Sequence, residues 1–163
     1  MLIDFTDTKE FQHWITINDD VMGGISQSCI DQSPEATAVF SGHLSLEHNG
    51  GFASIRRRAN RYHLNGCNGI MLKVKGDGRT YQFRVKTDEQ YDGIAFRTLF
   101  ASDIHQWQTL NLPFDSFSTS FRGRPQCQAP PFTSRTNQAD WLSFCGQTTR
   151  IISSRNSLDK VVL

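Results

Sequence analysis

GIMLKVKGDGRTYQFRVKT, residues 69–87, decides the fold class. Ile70, Leu72 and Val74 alternate with Lys73 and Lys75, and Tyr81, Phe83 and Val85 alternate with Gln82, Arg84 and Lys86. A period of two is the strand signature, because successive side chains point to opposite faces. Between the two runs, Gly76 to Arg79 offers the positive backbone angles of a tight reversal. The pattern predicts a hairpin. One face is aromatic and aliphatic and belongs against a second sheet, while the other is cationic and wet.

Outward from this segment, ATAVFSG, HLSLEH, FASIR, IAFRTLF and WQTLNLPF read as further strands, punctuated by glycine, proline and asparagine. Helical periodicity is weak except over Thr8 to Trp14, a short opening turn. Many short strands without alternating helices predict an all-β sandwich or barrel. The 163 residues carry no internal repeat or linker and read as a single domain over 1–163. Phenylalanine, with 12 copies against 3 Trp and 3 Tyr, suits a β core. A net charge of +1 gives no electrostatic case for nucleic acid or an anionic membrane surface. No apolar run approaches the roughly 20 residues of a membrane-spanning helix. The opening MLIDFTDTKEFQHW lacks the basic start of a secretory signal. Cys29, Cys67, Cys127 and Cys145 form no CxxC pair and read as reduced thiols, which places the chain in the cytoplasm.

NDDVMGGIS, residues 18–26, is the least ordinary string. It lacks the lysine and glycine spacing of a phosphate loop and the alternate carboxylates of a calcium loop. Asn18 and Asp19 can accept backbone hydrogen bonds within a turn. Gly23 and Gly24 permit a bend or a close backbone approach, as do Gly50 and Gly51 before Phe52. Val21 and Met22 are expected to plug the end of the sandwich. The functional alternative has Asp19, Asp20 and Arg56 meeting at a rim that grips a partner. Calcium is weighed against the fact that adjacent acids on a strand face opposite ways. Arg56 to Arg58, with Arg61 nearby, form either a solvated strand end or an oxyanion contact. The five histidines sit in no nucleophile motif, so no enzyme and no cofactor is expected. Trp107 and Tyr81 belong to the core or rim, or, if exposed in a row, to a sugar platform.

Taken in order, NDDVMGGIS, FSGHLSLEHNGGFASIR (Phe40 to Arg56), KGDGRTYQFRVKT and WQTLNLPFDSFSTSFRGR (Trp107 to Arg124) resemble the complex I intermediate-associated protein 30 family, from about residue 3 to 131. The resemblance implies a jelly-roll β-sandwich of the galactose-binding-like type. It also implies a non-catalytic assembly factor, chaperone-like, whose partner is a protein such as a respiratory-complex subunit or assembly intermediate. It marks Asn18, Asp19, Gly23, Gly24, Arg56 and Arg122 as one functional end, with no metal. The alternative is a carbohydrate-binding module of jelly-roll type, which would take a glycan.

The resemblance stops after Phe132. Residues 137–163, NQADWLSFCGQTTRIISSRNSLDKVVL, lack the alternating strands the family continues with. With suitable synonymous codons, reading one nucleotide later turns the tail into IKQIGFLFADKQQGSFQVEIRSIKWY, which has that alternation. A change of frame between Phe132 and Asn137 is therefore expected, together with an irregular, poorly packed tail that leaves an edge uncovered. The gene sequence tests this. A gene in which no single-nucleotide change before Asn137 yields the shifted reading contradicts it.

Overall fold

The computed structural model describes residues 3–58, 62–64, 66–87, 93–121, 124–126, 132, 138–139, 141–147 and 159–162. A 3-10 turn, Thr8–His13, is capped by the Asp7 carboxylate, which accepts from the Lys9 amide at 2.9 Å. The strands that follow are β1 (Trp14–Asn18), β2 (Gln27–Gln32), β3 (Ala38–His43), β4 (Phe52–Arg57), β5 (Tyr62–His63), β6 (Gly69–Lys75) and β7 (Thr80–Lys86). Next come β8 (Ala95–Ala101), β9 (Trp107–Pro113), β10 (Ser118–Phe121), β11 (Arg124–Pro125), β12 (Gln138–Ala139), β13 (Trp141–Gln147) and β14 (Asp159–Val162). One sheet has seven strands in the order β1-β4-β13-β7-β8-β10-β11. The second has five in the order β2-β3-β14-β6-β9, and β12 pairs with β5 alone. The paired strands run antiparallel.

The two sheets close on one core. The larger sheet contributes Ile55, Tyr81, Phe83, Val85 and Phe96, and the smaller contributes Ala38, Phe40, Val74 and Leu112. The phenylalanine excess is spent here. Phe132 lies 4.8 Å from both Phe96 and Phe114 and 5.3 Å from Phe117, ring centre to ring centre. Phe83 meets Phe117 edge-on at 6.2 Å. Each such ring contributes about 1.5–3 kcal/mol by leaving water, and tilted or edge contacts add to that.

The expected hairpin is not formed. β6 pairs with β9 and β14, whereas β7 pairs with β8 and β13, so residues 76–79 carry the chain from one sheet to the other. The apolar faces are as expected, the pairing is not, and the outer face of β7 is not wet, since Gln82 is buried and Arg84 half-buried. An alternating segment buries its apolar face equally well beside its neighbour or across the core from it, and local pattern does not separate the two. The glycines answer to the crossing. A Cβ on Gly76 would sit 2.1 Å from Ser102 Oγ, and Gly78, at φ +87°, backs onto Ile104. Ser102 N donates to Arg79 O at 2.9 Å and His105 N to Gly76 O at 2.8 Å, which seals the crossing against the loop after β8.

The expectation of an irregular tail is corrected only where the tail is described, at residues 138–139, 141–147 and 159–162, which are strand; residues 148–158 lie outside the described residues. β13 is an interior strand, in register with β4 on one side (Phe144 opposite Ile55) and β7 on the other (Phe144 opposite Phe83). β14 lies between β3 and β6. The alternation is present in WLSFCG, where Leu142 pairs with Val85 and Phe144 with Phe83. The change of frame remains a proposal about the gene.

Candidate functional site

The turn after β1 is built around one buried carboxylate. Asn18 ends β1, and Asp19–Met22 make a short 3-10 turn that closes on Gly23 at φ +87°, where a side chain would be strained. Asp19 is fully buried. Its Oδ1 accepts from the Ser26 amide at 2.8 Å. Its Oδ2 accepts from Ser26 Oγ at 2.6 Å, Gly51 N at 2.6 Å and Phe52 N at 3.2 Å. Ser26 Oγ in turn accepts from Ser45 N at 3.0 Å. One side chain thus ties residues 18–26 to the segment that leads into β4.

The glycines are the other half of this clasp. A Cβ on Gly24 would lie 2.4 Å from the Asp19 carboxyl carbon, and one on Gly50 would lie 2.6 Å from Asp19 Oδ2. Glycine at 24 and 50 lets two backbones press on the carboxylate, and Gly51, at φ +128°, aims its amide at it. Burial alone would push the Asp19 carboxyl up. The hydrogen bonds from the Ser26 side chain and the Gly51, Ser26 and Phe52 amides outweigh burial and hold it below the usual carboxylate range. A lining made of donors serves an anion and offers a cation nothing. Among the described residues no group of three or more His, Cys, Asp or Glu is placed to hold a metal.

Val21 and Met22 do not plug the sandwich. They are 68% and 63% exposed, and Ile25 and Leu46 are also exposed. Ile25 and Leu46 adjoin the bonded pair Ser26 and Ser45, and Leu46 Cδ2 lies over Gly51. In this turn it is the Asp19 carboxylate with its donors that is buried, while Val21 and Met22 stay outside. The result is an apolar tip on a stiff support.

The other predicted site residues fall as follows. Asn18 Oδ1 accepts from Ser28 Oγ at 2.6 Å, which links the two sheets. Asp20 is exposed and caps the Val21 amide at 3.0 Å. Arg56 is opposite Ile15, three positions along β4 from the Asn18–Ala53 pair, about 10 Å away. An odd number of positions also puts it on the other face of the sheet from Ala53. Arg122 lies outside the described residues.

Sequence reasoning missed Arg57. It was grouped with a solvated strand end, yet it is buried. Its Nε and Nη2 bond the two carboxylate oxygens of Glu10 at 2.5 and 2.9 Å, and Trp14 Nε1 donates to Glu10 at 3.0 Å. The Arg57 guanidinium carbon lies 5.4 Å from the Tyr62 ring centre. The hydrogen bonds that Arg57 donates to Glu10 raise the guanidinium's pKa above the ordinary arginine value. The available signal was Glu10 four residues before Trp14 on the opening turn. Nothing in the sequence joined it to residue 57.

Comparison with known proteins agrees with this architecture. The family described as Complex I intermediate-associated protein 30 matches residues 3–144, further than the sequence motifs reach. The mitochondrial complex I intermediate-associated protein 30 of Drosophila melanogaster is 26% identical over 146 residues, covering 77% of this chain and 49% of the relative. Its Mus musculus counterpart is 24% identical, covering 74% and 43%. The chain therefore spans about half the length of these relatives. Both are mitochondrial by name, which does not support the cytoplasmic placement expected from the cysteines. Among solved structures, the family 11 carbohydrate-binding module of the Clostridium thermocellum cellulase Lic26A-Cel5E superposes with a TM-score of 0.61 at 16% identity. It covers 99% of this chain and 89% of the module. A second structure of that family 11 module, TM-score 0.57 and 16% identical, covers 92% and 84% and holds a β-1,3-1,4-mixed-linked tetrasaccharide. An agarase, AgWH50C, superposes with a TM-score of 0.60 at 7% identity, over 99% of this chain and 24% of the enzyme. At such identities the likeness shows the jelly-roll, galactose-binding-like sandwich and nothing about ligands.

Proposed function

Because this chain belongs to the complex I intermediate-associated protein 30 family, we propose that it is a non-catalytic, chaperone-like binding module whose partner is a protein of a respiratory-complex assembly intermediate. The observation that carries this reading is the apolar tip of Val21, Met22, Ile25 and Leu46, exposed yet held by the Asp19 clasp. A rigid apolar projection suits a protein contact, because docking buries it without first having to order it. Asn18, Asp19, Gly23 and Gly24 then serve binding indirectly, by fixing the tip. Arg56 and Arg122 are offered as charged contacts. The compartment follows the partner and is wherever complex I is assembled.

The test is affinity capture from the source cell with the wild type and a Met22→Asp/Leu46→Asp variant, scored by complex I subunits. Exposed substitutions of this kind change stability by only about 0.5 kcal/mol, so a lost partner is not a lost fold. Enrichment of those subunits by the wild type and its loss in the variant supports the reading. No enrichment, or equal enrichment by both, contradicts it.

The carbohydrate-binding reading rests on the shared fold alone. It is the weaker of the two. Tyr81 is buried in the core, and Lys73 Nζ lies 5.3 Å from the centre of the Trp107 ring, over the surface a sugar would need.

A further inference from the structure

The smaller sheet ends on a strand that its own residues leave unguarded. β9 lies at the edge and, among the described residues, pairs with β6 alone. Its seven residues, WQTLNLP, carry no charge. Natural edge strands are guarded by lysine, an inward charge, a bulge, shortness or a covering segment. The other edges of the two sheets follow that rule. β2 carries Asp31, and β11 has two residues. β1 is tied to β2 through the Ser28–Asn18 bond.

The register shows which groups of β9 face outward. Phe114 N donates to Asn68 O at 2.9 Å, one pair beyond Gly69 opposite Pro113. Hydrogen-bonded and non-bonded pairs alternate along an antiparallel ladder. Leu112, Leu110 and Gln108 therefore bond to β6, and Trp107, Thr109 and Asn111 turn their amides and carbonyls away from it. Pro113 falls at the same parity, where the missing N–H takes no bond from the sheet. All four outward residues are exposed. Gln108 Nε2 donates to Ala101 O at 3.0 Å and pins the start of the strand.

Beside this edge the outer face is apolar and cationic. Trp107, Met71 and Ile104 are exposed, and Ile104 is bridged to Gly76 at the end of β6. Lys73 and Lys75 stand opposite Thr109 and Trp107, and Lys73 Nζ lies 5.3 Å from the centre of the Trp107 ring. Among the described residues neither lysine is in an ion pair, and β6 and β9 hold no Asp or Glu.

We infer that β9 takes an extended segment of the partner protein as an added strand, with an Asp or Glu of that segment over Lys73 or Lys75. The inference rests on the assembly reading above and adds a second contact of stated chemistry. Main-chain bonds to Trp107, Thr109 and Asn111 supply affinity, and side chains at alternate positions supply selection. An added strand runs about 5 Å from β9 and about 10 Å from β6, a gap that a lysine and a facing carboxylate side chain bridge. A second copy of this chain fits less well, because its own β9 brings no carboxylate to the lysines.

The test is photo-crosslinking in the source cell, with a benzophenone side chain placed at Asn111 and, as control, at the exposed Glu35. We expect cross-links from position 111 within one segment of a complex I subunit or assembly protein that contains Asp or Glu, and none there from position 35. Two variants are then read by the cross-link yield. Thr109→Pro removes an outward amide and no bond to β6, whereas Lys73→Glu/Lys75→Glu leaves the backbone alone. Each should lower the yield at least about tenfold. The lysine variant decides if the proline variant melts lower than the wild type. Cross-links to a second copy of this chain alone, to a segment without Asp or Glu, or to no protein overturn the inference, as do yields within about twofold of the wild type. Equal capture of complex I subunits by wild type and variants would overturn the added strand and leave the assembly role standing. An acidic segment cross-linked in a protein outside complex I assembly would uphold the added strand and refute the role.

Discussion

Asp19→Ala is expected to destabilise the fold by about 4 kcal/mol in urea denaturation at neutral pH. The substitution strips the acceptor from the Ser26 amide and hydroxyl and from the Gly51 and Phe52 amides. Each buried donor left without a partner costs about 1–3 kcal/mol, and relaxation near the end of the sandwich returns part of the sum. The same group sets an acid limit. Its folded value lies below the ordinary 3.8, so the stability it contributes is complete above about pH 5. That stability is lost as pH falls below the ordinary value and through the folded one. Asp19→Asn, which carries no titrating proton, should therefore show a flatter fall in stability over that range. Equal acid slopes for wild type and Asp19→Asn would mean that the carboxylate is not the clasp.

Arg57→Met is expected to cost about 3–5 kcal/mol, because it leaves the Glu10 carboxylate, only 11% exposed, without its counter-charge. Replacing both partners, as Glu10→Leu/Arg57→Met, should cost far less than the two single changes added together. A buried pair exchanged for apolar groups of like volume is often neutral. A double-mutant cycle is expected to give a coupling of about 2 kcal/mol or more. Additive single effects would mean that the opening turn and β4 are held by packing alone.

The fold class was legible because strand alternation is local, and Tyr81, Phe83 and Val85 are buried as their spacing predicts. Partnership was not. The same alternation allows β6 and β7 to pair or to face each other across the core, and the choice is made by β9, β13 and β14. The interior place of β13 was hidden for a related reason. Leu142 and Phe144 alternate over a short stretch followed by polar residues, and nothing in WLSFCG names β4 and β7 as its neighbours.

The candidate site divides along the same line. Asp19 with Gly23 and Gly24 was legible as a rigid turn, because an acid beside two glycines has few other uses. Its reach to Gly50 and Gly51 was visible only as a second glycine pair before Phe52.

The proposed role requires this sandwich to bind a complex I assembly intermediate. Native gel electrophoresis of gently solubilised extract from the source cell, probed for this chain, tests it most directly. We predict co-migration with partial complex I assemblies, well above the 18.5 kDa of the chain. Migration at the position of the free chain alone, in cells that are assembling complex I, would contradict it.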